Sequence, residues 1–228
     1  MKKLFLILFF LASVANLVST FAEVPMLGFV SKPLIMLSLG AYYLTSVSER
    51  FLTVILAVAC SLAGDVFLMD ASYFIAGLVS FLIAHIFYIF AYRQHRSDDF
   101  SENSLQGIHK IRLAFPIILA GTGLVVILFP VLGDLKIPVI VYAAVITLMV
   151  LTALYRYGKT NDRSYWFVFS GAALFFVSDS IIALNKFLFG IQYAHFWIML
   201  TYCAAQYLII EGLINHHKPA VRPVSSFG

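Results

Sequence analysis

Apolar residues run through this chain in long stretches, interrupted by short polar connections. Eight stretches approach the roughly 20 residues that a helix needs to cross a bilayer. They lie near residues 4–21, 26–44, 51–68, 73–92, 111–132, 137–155, 165–184 and 191–214. Gly, Pro, Ser, Asp or Asn marks the connections, as at Glu23-Val24-Pro25 and Gly133-Asp134. The one long polar loop is 93–110, with Arg93, Arg96, Asp98, Asp99, Glu102 and Lys110. The pattern predicts an all-α polytopic bundle of about eight transmembrane helices, forming a single domain over residues 1–228.

Composition supports the bilayer as solvent. Hydrophobic residues make up 62% and charged residues 11% of the 228. An average soluble domain carries roughly 45–50% apolar and about 25% charged residues. The net charge of +4 points to no nucleic-acid partner, because the basic residues sit at helix ends and in short loops.

Those basic residues set the orientation. With the N-terminus on one side, that side holds twelve: Lys2, Lys3, Arg50, Arg93, Arg96, Lys110, Arg112, Arg156, Lys159, Arg163, Lys218 and Arg222. The other holds three, Lys32, Lys136 and Lys186. The positive-inside rule then predicts cytoplasmic N- and C-termini. The membrane expected is the cell (inner) membrane of a bacterium. The first stretch also has the layout of a signal peptide, with Lys2-Lys3 ahead of the apolar run and Thr20-Phe21-Ala22 as a cleavage site. Its length and the internal Asn16 favour a retained helix.

Polar groups inside the stretches need a reason, since an ionised side chain at mid-membrane costs roughly 2.5–3.5 kcal/mol on insertion scales. They are Lys32, Asp65, His85, Asp179, His195, Gln206, the uncharged Asn16 and, near an inner end, Glu211. With alternating helices, Asn16, Lys32, Asp65, Asp179 and His195 share one depth, roughly 5–10 Å below the outer boundary. His85 lies deeper. Helical spacing aligns Ser13, Asn16 and Thr20; Lys32 and Tyr43; His85, Tyr88 and Tyr92; and His195, Tyr202 and Gln206. Such stripes predict a polar cavity open toward the outer leaflet.

Each residue also has a structural reading. Lys32 can snorkel to headgroups or pair with an aspartate. Asn16 and Gln206 suit helix–helix contacts, and Glu211 suits a solvated interface. Cys60 and Cys203 read as small core residues. No metal-ligand spacing and no cofactor motif is visible. Gly121-Thr122-Gly123 reads as helix packing.

The sequence resembles the YhhN family of membrane proteins, which includes the lysoplasmalogenases. The resemblance rests on Lys32-Pro33, on Ser61-Leu62-Ala63-Gly64-Asp65-Val66-Phe67-Leu68, and on Gly77-Leu78 with Phe81-Leu82-Ile83-Ala84-His85-Ile86-Phe87-Tyr88. It also rests on Gly171-Ala172-Ala173-Leu174-Phe175-Phe176-Val177-Ser178-Asp179-Ser180. It implies hydrolysis of the vinyl ether bond of a lysophospholipid, giving a fatty aldehyde and glycerophosphoethanolamine or glycerophosphocholine. It implies further that Asp65 and Asp179 are central. Two carboxyls suit that chemistry, one donating a proton and the other stabilising the cation and activating water, as in glycoside hydrolysis. Lys32, His85, His195, Asn16 and Tyr202 would then bind substrate. Two other classes stay open: a proton- or ion-coupled transporter, for which intramembrane Asp, His and Lys are also suited, and a non-catalytic lipid-binding protein.

Overall fold

The computed structural model describes residues 1–22, 24–97 and 107–216. Glu23, the loop residues Asp98, Asp99 and Glu102, and the terminal Lys218 and Arg222 lie outside the described residues. The helices are α1 (Lys2–Ala22), α2 (Pro25–Ser46), α3 (Leu52–Phe67), α4 (Phe74–Gln94), α5 (Gly107–Leu128), α6 (Lys136–Leu154), α7 (Asp162–Phe187) and α8 (Ala194–Asn215). Among the described residues there is no strand. Seven of the helices are long and apolar enough to cross a membrane, and α3 is a shorter apolar helix of 16 residues. The chain is a multi-pass membrane protein built as an all-α bundle.

Local chemistry sets the helix ends. Pro25 opens α2, where its missing N–H costs nothing. Asn161 caps α7 by accepting from the Ser164 N–H at 2.9 Å. This cap starts α7 at Asp162, three residues ahead of the apolar stretch, and the helix continues through Lys186 to Phe187. Residues Gly107–Lys110 likewise join α5 although they are not part of its apolar run.

Short connections make successive helices antiparallel. One end of the bundle therefore carries the α1–α2, α3–α4, α5–α6 and α7–α8 turns (the turn end). The opposite end carries the N-terminus and the α2–α3 and α6–α7 turns. Helices α7 and α8 pack backbone to backbone. A Cβ at Gly171 would lie 2.8 Å from the Ala205 carbonyl oxygen, and one at Gly212 would lie 2.9 Å from the Val168 nitrogen. Helix α5 sits outermost and packs chiefly on α6.

Arg156 ties the end opposite the turn end. Sequence position alone counts it among the loop cations, yet its side chain is fully buried. Its Nε and Nη2 donate to the His95 carbonyl at 3.2 and 3.1 Å. Its Nη1 donates to the Ser164 carbonyl at 3.2 Å, and Nη2 also donates to Ser164 Oγ at 2.8 Å. Ser164 Oγ in turn donates to the Gly212 carbonyl at 2.6 Å. One guanidinium fork thus joins the ends of α4, α6, α7 and, through Ser164, α8. The planar fork suits this task because its donors have fixed directions.

Replacing Arg156 with Ala removes four hydrogen bonds and should lower stability by about 3 kcal/mol, the scale of bonds to a charged group. Arg156→Lys should recover only part of it. Thermal unfolding in detergent checks both; an Arg156→Ala protein that melts with the wild type contradicts the assignment.

Candidate functional site

Asp65 stands two residues before the end of α3 and is 2% exposed. The preceding Gly64 makes this position possible: a Cβ there would fall 2.6 Å from Cε2 of Phe81, so only glycine lets the Phe81 ring lie against α3. Tyr202 of α8 donates its hydroxyl to Asp65 Oδ2 at 2.7 Å. One turn further along α8, Gln206 Oε1 accepts from the Tyr88 hydroxyl of α4 at 2.5 Å. The α8 stripe that pairs Tyr202 with Gln206 thus faces α3 and α4.

Asp179 lies within α7, where Tyr142 of α6 donates to its Oδ2. His85 of α4 brings Nε2 to 3.6 Å from the same oxygen. The imidazole is fully buried, with the Phe175 ring centroid at 4.7 Å and that of Tyr142 at 5.4 Å, both edge-on. Neither ring nitrogen has a hydrogen-bond partner among the described residues. His85 is therefore a polar group held beside a carboxyl without being consumed by the structure.

An aromatic wall connects the two carboxyls. Phe175 packs edge-on against Tyr202 at 5.5 Å and against Phe81 at 6.1 Å, and Phe81 packs on Tyr202 at 5.8 Å. Contacts thus run from Asp65 through Tyr202, Phe175 and His85 to Asp179. The carboxyls lie within electrostatic reach of each other, and Lys32 lies within reach of Asp65.

Two cavities adjoin this core. A cavity of about 420 Å³ is lined by Asn16, Ser19, Thr20, Lys32 and His195, with Leu68 and Met69 in its wall. An apolar slot of about 40 Å³ is lined by Phe81, Leu128, Ile146 and Phe187 among others, with Asp179 and Tyr142 as its main polar groups. Leu68 belongs to both walls. Asn16, Lys32 and His195 come together on the polar cavity, at the turn end of the bundle. Asp65 and Asp179 do not line that cavity. Asp179 opens onto the slot, and Asp65 is enclosed between α3 and α8. The alternation of helices puts all five groups near one level, and the tertiary packing sets three on the polar cavity, Asp179 on the slot and Asp65 in neither.

The remaining polar groups have mostly structural partners. Asn16 Nδ2 donates to the Gly28 carbonyl at 3.2 Å and to Ser31 Oγ at 3.1 Å, joining α1 to α2. Glu211 accepts from the Tyr42 hydroxyl at 2.6 Å and from Asn215 Nδ2 at 2.9 Å. Tyr43 shares a stripe with Lys32 but accepts from the Phe51 N–H at the other end of α2, away from the cavity. Among the described residues no three His, Cys, Asp or Glu side chains gather as a metal site. Tyr142 is the site residue that the sequence does not single out; its only sign is a phenol hydroxyl on a mostly apolar helix, and such a group requires a partner when buried.

The lysoplasmalogenase TMEM86A of Homo sapiens is 32% identical over 167 residues, covering 70% of this chain and 64% of its own length. The lysoplasmalogenase TMEM86B of Homo sapiens is 33% identical over 164 residues, covering 72% and 64%. A lysoplasmalogenase of Mycobacterium bovis is 32% identical over 141 residues, covering 61% and 50%. The chain thus spans between half and just under two thirds of the length of these relatives. No solved structure matches it significantly. The YhhN family model matches residues 27–213, which carry both aspartates, both tyrosines and the aromatic wall, and the chain belongs to the YhhN family.

Proposed function

We propose that this chain hydrolyses the vinyl ether bond of a lysoplasmalogen, releasing a fatty aldehyde and the glycerophospho-alcohol. The observation that carries this reading is the placement of two tyrosine-held carboxyls, Asp179 on the wall of an apolar slot and Asp65 near Lys32, where that slot and a polar cavity share Leu68 in their walls. A single-chain lipid has the same division, with a charged headgroup, a glycerol unit, and then the scissile bond at the start of the chain. The relatives' names supply the bond that is cleaved.

The chemistry requires a proton on the vinyl carbon distal to oxygen, giving an oxocarbenium ion. Water adds to that ion, losing a proton, and the resulting hemiacetal collapses to aldehyde and alcohol. Asp179, on the slot wall, is the carboxyl a substrate chain can touch, and it serves as the acid. Tyr142 occupies its Oδ2, so the proton for transfer resides on the other oxygen. Asp65, on the side of Lys32 and the polar cavity, stabilises the cation and takes the proton from water. His85, beside Asp179 with both nitrogens uncommitted, orients the acid. Lys32 and His195 meet the phosphate headgroup, Lys32 as a point charge. Asn16 lines the same cavity, and Tyr202 holds Asp65 in place.

The lysine and arginine count supports a turn end, and so a polar cavity, on the non-cytoplasmic side, with both termini cytoplasmic. We assign the chain to the cell membrane of a bacterium. The whole chain acts as one domain in this reading.

Asp65→Asn and Asp179→Asn should each lower vinyl ether cleavage by the purified protein about 10²-fold or more, the usual scale for losing a positioned acid or base. Each variant should unfold near the wild-type temperature. Near-normal turnover in either rules out the two-carboxyl mechanism. Lys32→Met should raise KM more than it lowers kcat. In a Cys60→Ser, Cys203→Ser background, Lys32→Cys should react with an impermeant maleimide added outside intact cells, whereas Asp65→Cys should not. Labelling only after lysis reverses the orientation.

A further inference from the structure

The apolar slot beside Asp179 is too small to contain a lipid chain. About 40 Å³ admits only a few water-sized groups. A chain whose reactive end sits at Asp179 must therefore continue elsewhere. One continuation is present. Val125 of α5 and Ala143 of α6 line the slot and also line a groove of about 510 Å³ between the same two helices.

The groove suits a hydrocarbon chain in direction, length and lining. Helix α6 runs from the turn end toward the opposite end, so its lining residues descend from Val139 in the slot to Leu151 at the far end of the groove. Twelve residues at 1.5 Å make about 18 Å, comparable with the roughly 15 Å that one leaflet contributes to a 30 Å hydrocarbon core. Small side chains hollow the surface, with Gly121 and Thr122 on one wall and Ala144 and Thr147 on the other. Gly121 brings the helices together at the floor: a Cβ there would fall 2.1 Å from Thr147 Oγ1. Thr147 does not make the groove polar, because its hydroxyl donates to the Ala143 carbonyl at 2.6 Å.

From this continuity we propose that the α5–α6 groove is the binding site for the distal part of the substrate's hydrocarbon chain, and that it sets chain-length preference. The substrate class rests on the hydrolase reading above; the groove as a single-chain lipid site does not. The chain lies along α6 with its ether end at Asp179 and its methyl end near Leu151. Its middle passes between Thr122 and Ala144, both of which are exposed on the groove walls. Because neither side chain belongs to the packed core, enlarging either one fills the groove without disturbing the bundle.

The test uses Ala144→Phe and Thr122→Phe in the full chain, reconstituted in nanodiscs. Two measurements are made: kcat/KM on lysoplasmalogens with hexenyl and octadecenyl chains, and the affinity for the uncleavable saturated hexyl- and octadecyl-ether lysolipids. Each variant should weaken the long-chain compounds by roughly tenfold or more relative to the short ones, the scale of a few methylenes excluded from an apolar site. Equal loss for both lengths, or no loss for either, overturns the groove assignment. If the wild type cleaves neither substrate while the affinity split persists, the groove stands and the hydrolase reading falls. If cleavage proceeds without any split, the hydrolase reading stands and the groove falls.

Discussion

A carboxyl group carried to membrane depth loses its water, and the surrounding protein must supply its hydrogen-bond partners. Asp65 and Asp179 meet that constraint in the same way, each with a tyrosine hydroxyl from a different helix. Tyr202 must lean from α8 toward α3, and Tyr142 from α6 toward α7. Those directions bring Phe81, Phe175 and His85 into the space between, so the aromatic wall and the cavities on either side follow from how the carboxyls are satisfied. The glycines serve the same end: Gly64 admits Phe81 against α3, and Gly171 lets α7 approach α8.

The division between polar and apolar space has a physical basis of its own. Near the turn end the helix faces carry Asn16, Thr20, Lys32 and His195, and the cavity they line is wide. Beyond Leu68 the lining becomes apolar and the space narrows. Arg156 holds the opposite end of four helices together through carbonyl groups. That end is thereby tied by hydrogen bonds, and the polar cavity stands at the other.

Hydropathy made the helices legible because each needs its own apolar length, whatever its neighbours. The costly polar residues were legible for the same reason, since Asp65, Asp179 and His85 stand out in any apolar stretch. Tyr142 did not stand out, because tyrosine is at home in membrane helices and its hydroxyl reveals a role only once Asp179 is seen beside it. Arg156 follows an apolar stretch next to Lys159 and Arg163, where a cation is expected to be solvated; its burial depends on α4 and α7 arriving from elsewhere. Periodicity gives the face of a helix, not the neighbour it meets. It therefore grouped Asp65 and Asp179 with Lys32 and His195, and only the packing around Leu68 separates them.

In the proposed reaction a carboxyl of this bundle places a proton on carbon. Cleavage of a lysoplasmalogen by the purified protein in heavy water, with immediate reduction of the aldehyde and mass analysis of the alcohol, tests it most directly. The expected product carries one solvent-derived deuterium on the carbon next to the former carbonyl. Product formed without that label, or a substrate that stays intact, contradicts the proposal.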